Sequence, residues 1–146
     1  MAKRFAFRLE PVLRYRSQLE NEKQREFAAV QTEYNAKEDQ VRNLNQLFVQ
    51  VQQRFGQAKT AGNDVKLWMS YQSYLNDIKN SIFNCLSEQQ KIRKRLEQKR
   101  AELVQAARRR RVLEKLREKR FADHVRENNR MEQKELDEIA LRNYYG

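Results

Sequence analysis

The chain has 146 residues, of which 35% are charged, with only three Gly and one Pro, and a mean hydropathy of −1.06. Such a composition supplies few turns and little core, which excludes an ordinary globular domain and favours long helices with a narrow apolar stripe. The net charge of +11 is concentrated: residues 91–126 carry +10, against +4 for 1–60, −1 for 61–90 and −2 for 127–146.

The N-terminus, Met1 to Arg8, is basic but lacks the continuous apolar stretch of a secretory signal. Glu10 and the early start of a helical pattern argue against an organellar presequence. No apolar run reaches the roughly 20 residues needed to cross a bilayer, so the expected location is the cytoplasm. The single cysteine, Cys85, excludes an internal disulfide and falls on a helical apolar ladder, where it reads as a small packed hydrophobe.

A first helix is expected over 11–55. It opens at Pro11, whose fixed φ and missing N–H suit a first turn, and closes before Gly56. Its apolar ladder is Phe27, Val30, Tyr34, Val41, Leu44, Phe48, Val51 and Phe55. Alternating steps of three and four give a period near 3.5, the mark of a coiled-coil seam. Residues 56–64, with Gly56 and Gly62, form the expected turn, and Asn63 or Asp64 can cap the N-terminus of a second helix. That helix, over 65–141, carries Trp68, Tyr71, Leu75, Ile78, Ile82 and Cys85, then Ile92, Leu96, Leu103 and Leu113.

The fold class is therefore all-α: two long helices in one antiparallel coiled-coil hairpin spanning 1–146, the second helix longer and overhanging. The helices should measure roughly 65–70 Å and 110 Å, leaving residues beyond about 115 without a helical partner. Paired residue numbers should sum to about 123, setting Phe55 on Trp68, Phe48 on Leu75, Val41 on Ile82 and Phe27 on Leu96. Toward the termini the same frame places Arg16, Glu20 and Lys23 opposite Ala106, Leu103 and Lys99, and Leu13 opposite Arg110. Either charges truly enter the seam there, weakening it or leaving it for another surface, or a stutter shifts the frame.

No enzyme signature is present. The one histidine, His124, sits among charges and reads as a solvated side chain rather than a catalytic or metal-binding one. Three scattered glycines cannot make a phosphate loop, and the carboxylates are interleaved with Lys and Arg at helical spacing. Catalytic, cofactor and metal sites are all expected to be absent.

Two features remain. Arg108, Arg109, Arg110 and Arg111 are consecutive, so on a helix they point in four directions about 100° apart. They form a collar suited to an acidic ring or hole, or else a merely solvated Arg-rich stretch. A nucleic-acid helix would instead gather its charge on one side beside stacking aromatics, which argues against that partner. Near the turn, Tyr74, Ile78, Ser81 and Cys85 make an i, i+4, i+7, i+11 row. It is either a docking patch or, at Ile78 and Cys85, partly buried seam.

The opening Phe5-x-Phe7-Arg8-Leu9-Glu10-x-Val12-Leu13-x-x-Arg16 resembles the start of the flagellar type III export protein FliJ family. Trp68-x-x-Tyr71-Gln72-x-Tyr74 resembles the aromatic start of that family's second helix, and Glu127-Asn128-Asn129-Arg130-Met131-Glu132-Gln133-Lys134 to Glu138 resembles its tail. The resemblance runs in order over nearly the whole chain. It implies a non-enzymatic antiparallel coiled coil similar to the stalk subunit of rotary ATPases. Such a protein would sit in the hexameric export ATPase (FliI), bind the cytoplasmic domain of the export gate protein (FlhA), assist export chaperones, and lie against the inner face of the membrane. The family's gate-binding row falls on Tyr74, Ile78, Ser81 and Cys85; Ser81, Cys85 and the very basic Arg run depart from the family pattern. An injectisome stalk protein is similar in form. A nucleic-acid-binding hairpin and a self-associating scaffold are the readings from other classes.

Overall fold

The computed structural model describes residues 3–146, so Met1 and Ala2 of the basic N-terminal stretch lie outside the described residues. Almost everything described is helix: α1, Glu10–Ala61, and α2, Val65–Tyr145, with no strand among the described residues. The fold is the all-helical hairpin that the two ladders require.

α1 opens one residue ahead of Pro11. The Glu10 N–H donates to the Phe7 carbonyl at 3.1 Å and the Leu13 N–H to the Leu9 carbonyl at 2.9 Å. The missing donor of Pro11 thus falls in the first turn, where no intrahelical acceptor awaits it. At the other end the helix does not stop at Phe55. Gly56 has no positive φ, and α1 continues through it to Ala61. Phe55 is buried, the Lys59 ammonium lies 4.1 Å from its ring, and Lys59 also faces the negative end of the helix. These interactions offset the roughly 1 kcal/mol cost of a helical glycine. The turn shrinks from the expected nine residues to Gly62, Asn63 and Asp64. Asp64 is the cap: its Oδ1 accepts from the Leu67 N–H at 3.2 Å, and its carbonyl accepts from Trp68 N–H at 3.1 Å.

Moving the turn toward the C-terminus moves the register. Facing residues sum to about 126 rather than 123. The ion pairs Lys37–Glu88, Glu33–Arg95 and Glu26–Lys99 give 125, 128 and 125.

Contacts divide into two compact units: Gln24–Glu102, and residues 3–23 with Leu103–Gly146. The division falls where half-buried Lys23 and Lys99 enter the seam. The first unit holds two apolar clusters. Val51, Phe55, Leu75 and Ile78 pack with Leu47, Phe48, Trp68, Tyr71 and Ile82. Val30, Ile92 and Leu96 pack with Phe27 and Tyr34. The Phe55 and Tyr71 rings lie 5.6 Å apart. Trp68 leaves its buried indole N–H without a partner, a cost at the turn end. The second unit is held differently. Leu13 and Ala106 are its buried apolar positions, and charged side chains supply much of the rest.

Leu75 is a seam knob and Gly56 is an open helical position with nothing within 4 Å of a built Cβ. Leu75→Ala should cost about 2–5 kcal/mol in urea unfolding, whereas Gly56→Ala should stabilise by about 0.5–1 kcal/mol. A destabilised Gly56→Ala protein would contradict a continuous α1.

Candidate functional site

The two helices bury a single narrow seam, and the candidate sites lie on the surfaces beside it. In the unit 3–23 with Leu103–Gly146, the buried and half-buried positions of α1 are Leu13, Arg16, Glu20 and Lys23, and those of α2 include Leu103, Ala106, Arg110 and Leu113. Steps of three and four persist, so the stutter is excluded and charges do occupy the seam. Arg110 is their centre. Its guanidinium is bound by Glu20 and by Glu114, the latter at 2.6 Å. Hydrogen bonds from Glu20 first, then Glu114, push its pKa further up. Further along, Arg117 bonds Glu10 at 3.0 Å.

This alters the expected collar. Arg108, Arg109 and Arg111 line the outside of α2 to differing degrees, but Arg110 is engaged inside the chain. Four residues at 100° steps on a helix with a seam must place one in the seam, and the frame selects Arg110.

The same unit contains a feature that helical periodicity does not register. Residues 3–9, an irregular segment that ends in a turn at Arg8 and Leu9, lie along α2 as a strap. Phe5 meets Phe121 edge-on at 5.2 Å and His124 at 5.5 Å, with the Arg117 guanidinium 5.5 Å from its ring. The Lys3 carbonyl lies 2.8 Å from His124 Nε2 and accepts from Asn128 Nδ2 at 3.3 Å. His124, expected to be solvated, is therefore half-buried under the strap. The overhang past residue 115 is likewise covered as far as Asn128, by an irregular segment rather than a helix. Phe5, Phe7 and Leu9 are sheltered while Arg4, Ala6 and Arg8 are more open. That alternation is the signal the sequence carries.

In the unit Gln24–Glu102, the row near the turn is divided. Tyr74 is 47% exposed and Ser81 is exposed, but Ile78 and Cys85 are buried in the seam. A partner could touch only the first two directly. Phe83, one step off the ladder at Ile82, is the most exposed large apolar side chain of this unit, at 72%. An off-ladder Phe in so polar a chain is its signal. Beside the row, the Lys37 ammonium is hydrogen-bonded to Glu88, which raises the lysine pKa and lowers that of the carboxyl. The lowered Glu88 stabilises the fold above the ordinary carboxylate range, an effect lost as pH falls through its depressed pKa. The raised Lys37 acts below the ordinary lysine pKa and its effect is lost as pH rises through the raised value. Among the described residues no three His, Cys, Asp or Glu side chains gather as a metal site, and no helix is long and apolar enough to cross a membrane.

The geometry defines a class: a coiled-coil hairpin whose seam is apolar near the turn and partly ionic near the termini, with differently composed outer faces. A family model described as "Flagellar FliJ protein" matches residues 5–146. The chain belongs to the FliJ family and is a component of flagellar protein export. No curated protein and no solved structure matches it.

Two measurements check this site. Arg110→Gln strands Glu20 in the seam and should cost on the order of 1–3 kcal/mol, while the triple change of Arg108, Arg109 and Arg111 to Gln should stay within about 0.5 kcal/mol. Equal losses would return Arg110 to the solvated surface. Amide exchange in α2 should rise steeply only past Asn128, and Phe5→Ala should move that boundary back toward residue 116. An unmoved boundary would mean the strap does not hold α2.

Proposed function

We propose that this chain is a non-enzymatic stalk and adaptor of the flagellar export apparatus, entering the ring of the export ATPase and linking it to the cytoplasmic domain of the export gate. It would work at the cytoplasmic face of the membrane and assist export chaperones. The observation that carries the reading is family membership over 5–146, joined to a cationic band of net +10 over residues 91–126. A ring lined with carboxylates attracts such a band from all sides. Arg108, Arg109 and Arg111 are the residues assigned to the ATPase, with Arg110 holding the helices together behind them. Tyr74 and Ser81 are assigned to the gate, with Ile78 and Cys85 supporting them from the seam.

The test is a pair of binding assays on well-folded variants. Changing Arg108, Arg109 and Arg111 to Gln removes three ionic contacts of about 0.5–1 kcal/mol each. ATPase affinity should fall by about tenfold or more, and its salt dependence should flatten. Tyr74→Ala should weaken gate binding and leave ATPase binding intact. Because Ile78 is core, Ile78→Ala would confuse binding with an unfolding cost of about 2–5 kcal/mol. ATPase binding that is undiminished and equally salt-sensitive in the triple variant would remove the arginines from the interface.

A further inference from the structure

A lateral face of α2, one step off the seam and turned away from the Tyr74 row, changes composition abruptly along the unit Gln24–Glu102. Met69, Asn76, Phe83 and Gln90 recur at every seventh residue and are all exposed, so they form one row along the helix. Leu86 lies beside Phe83 in the neighbouring row. The exposures are high where the row is apolar: 67% for Met69, 72% for Phe83 and 47% for Leu86. Charged residues make up 35% of the chain, yet from Met69 to Gln90 this face carries a single charge, Lys79, and no carboxylate. The carboxylates of this stretch, Asp77 and Glu88, fall on the other side of the helix, next to the Tyr74 row. A solvated helix face in this protein is dense in charge, so a neutral strip with a protruding phenylalanine is the exception to explain.

We infer that the Met69–Phe83–Leu86 face is a second docking surface, taking an amphipathic helix that flanks its apolar stripe with acidic residues. The backbone of α2 is internally bonded and offers no strand edge, so a partner must satisfy its own backbone, which a helix does. A seven-residue row accepts a helix lying alongside it, with Phe83 as a knob. The charge of the partner follows from Lys94 and Arg93 at the strip's C-terminal end, Arg93 also pairing with Glu97 at 3.7 Å, while Lys79 at the strip's edge lies 5.6 Å from the Phe48 ring of α1. Along the strip up to Glu97 a basic partner would meet like charge. This face lies around the helix from Tyr74, so both surfaces can be occupied at once, and the inference does not rest on the stalk reading.

The test uses the full chain and two labelled synthetic helices with the same leucine stripe, one flanked by Glu and one by Lys, followed by fluorescence anisotropy at moderate salt. The Glu-flanked helix should bind at least tenfold more tightly than the Lys-flanked one. Phe83→Glu should weaken it at least tenfold, and Lys94→Glu several-fold, with melting unchanged because both side chains are exposed. Tyr74→Ala should have no effect. Equal binding of the two peptides, or undiminished binding to the Phe83→Glu protein, would overturn the proposal. So would sedimentation showing a dimer of the wild-type chain that Phe83→Glu dissolves, since the strip would then serve a second copy.

Discussion

Everything in this protein depends on a seam one side chain wide. Each helix can bury only the residues that recur every 3.5 positions, and none of the described side chains is closed off completely. Long isolated helices gain little from propensity alone, so the clusters around Val51–Leu75 and Val30–Ile92 hold the unit Gln24–Glu102 together. The ion pairs that flank them are largely exposed and screened by solvent, so they contribute little. They serve register more than stability.

The other unit solves the same problem with different chemistry. Arg110 and Glu20, with Glu114 flanking them, occupy layers where Leu or Ile would give more stability. What an ionic layer supplies is a constraint: a slip by one residue would leave a guanidinium or a carboxylate unpaired in the seam, which is costly. The aromatic strap at Phe5 adds packing that the seam there lacks. An ionic seam under a short irregular clamp is less stable than an apolar one of equal length.

Much of this is legible in the sequence because a coiled coil writes its contacts at fixed intervals. The ladders locate both helices and their antiparallel pairing, though not its register, and the cap is legible as Asn63 or Asp64. Gly56 misleads, because a glycine is evidence about local cost while the helix end is decided by packing, and Phe55 with Lys59 outweighs that cost. The three-residue shift in register follows from that one misplacement. The strap escapes a periodicity argument because its alternation is brief and its partner lies more than 110 positions away, between Phe5 and Phe121. The row at Tyr74 is legible as a row but not as half-buried, since Ile78 and Cys85 also belong to the ladder. Arg110 looks like part of a collar only when the four arginines are taken apart from the seam that one of them has to enter.

The seam also explains why so many outer faces fit on one helix. Since inward positions alone secure the fold, the remaining rows of α2 are free to vary: nearly uncharged between Met69 and Gln90, strongly cationic over 91–126, and acidic beyond. A globular protein would have to build each such surface from several loops and stabilise each separately. Here a change of composition along the helix suffices, and the cost of altering it is small. The heptad position of a residue therefore separates its effects. Substitutions at Val51, Leu75 or Arg110 act on stability first, whereas those at Tyr74, Phe83 or Arg109 can act on binding with the fold intact. That separation lets each outer face change without disturbing the seam beneath it.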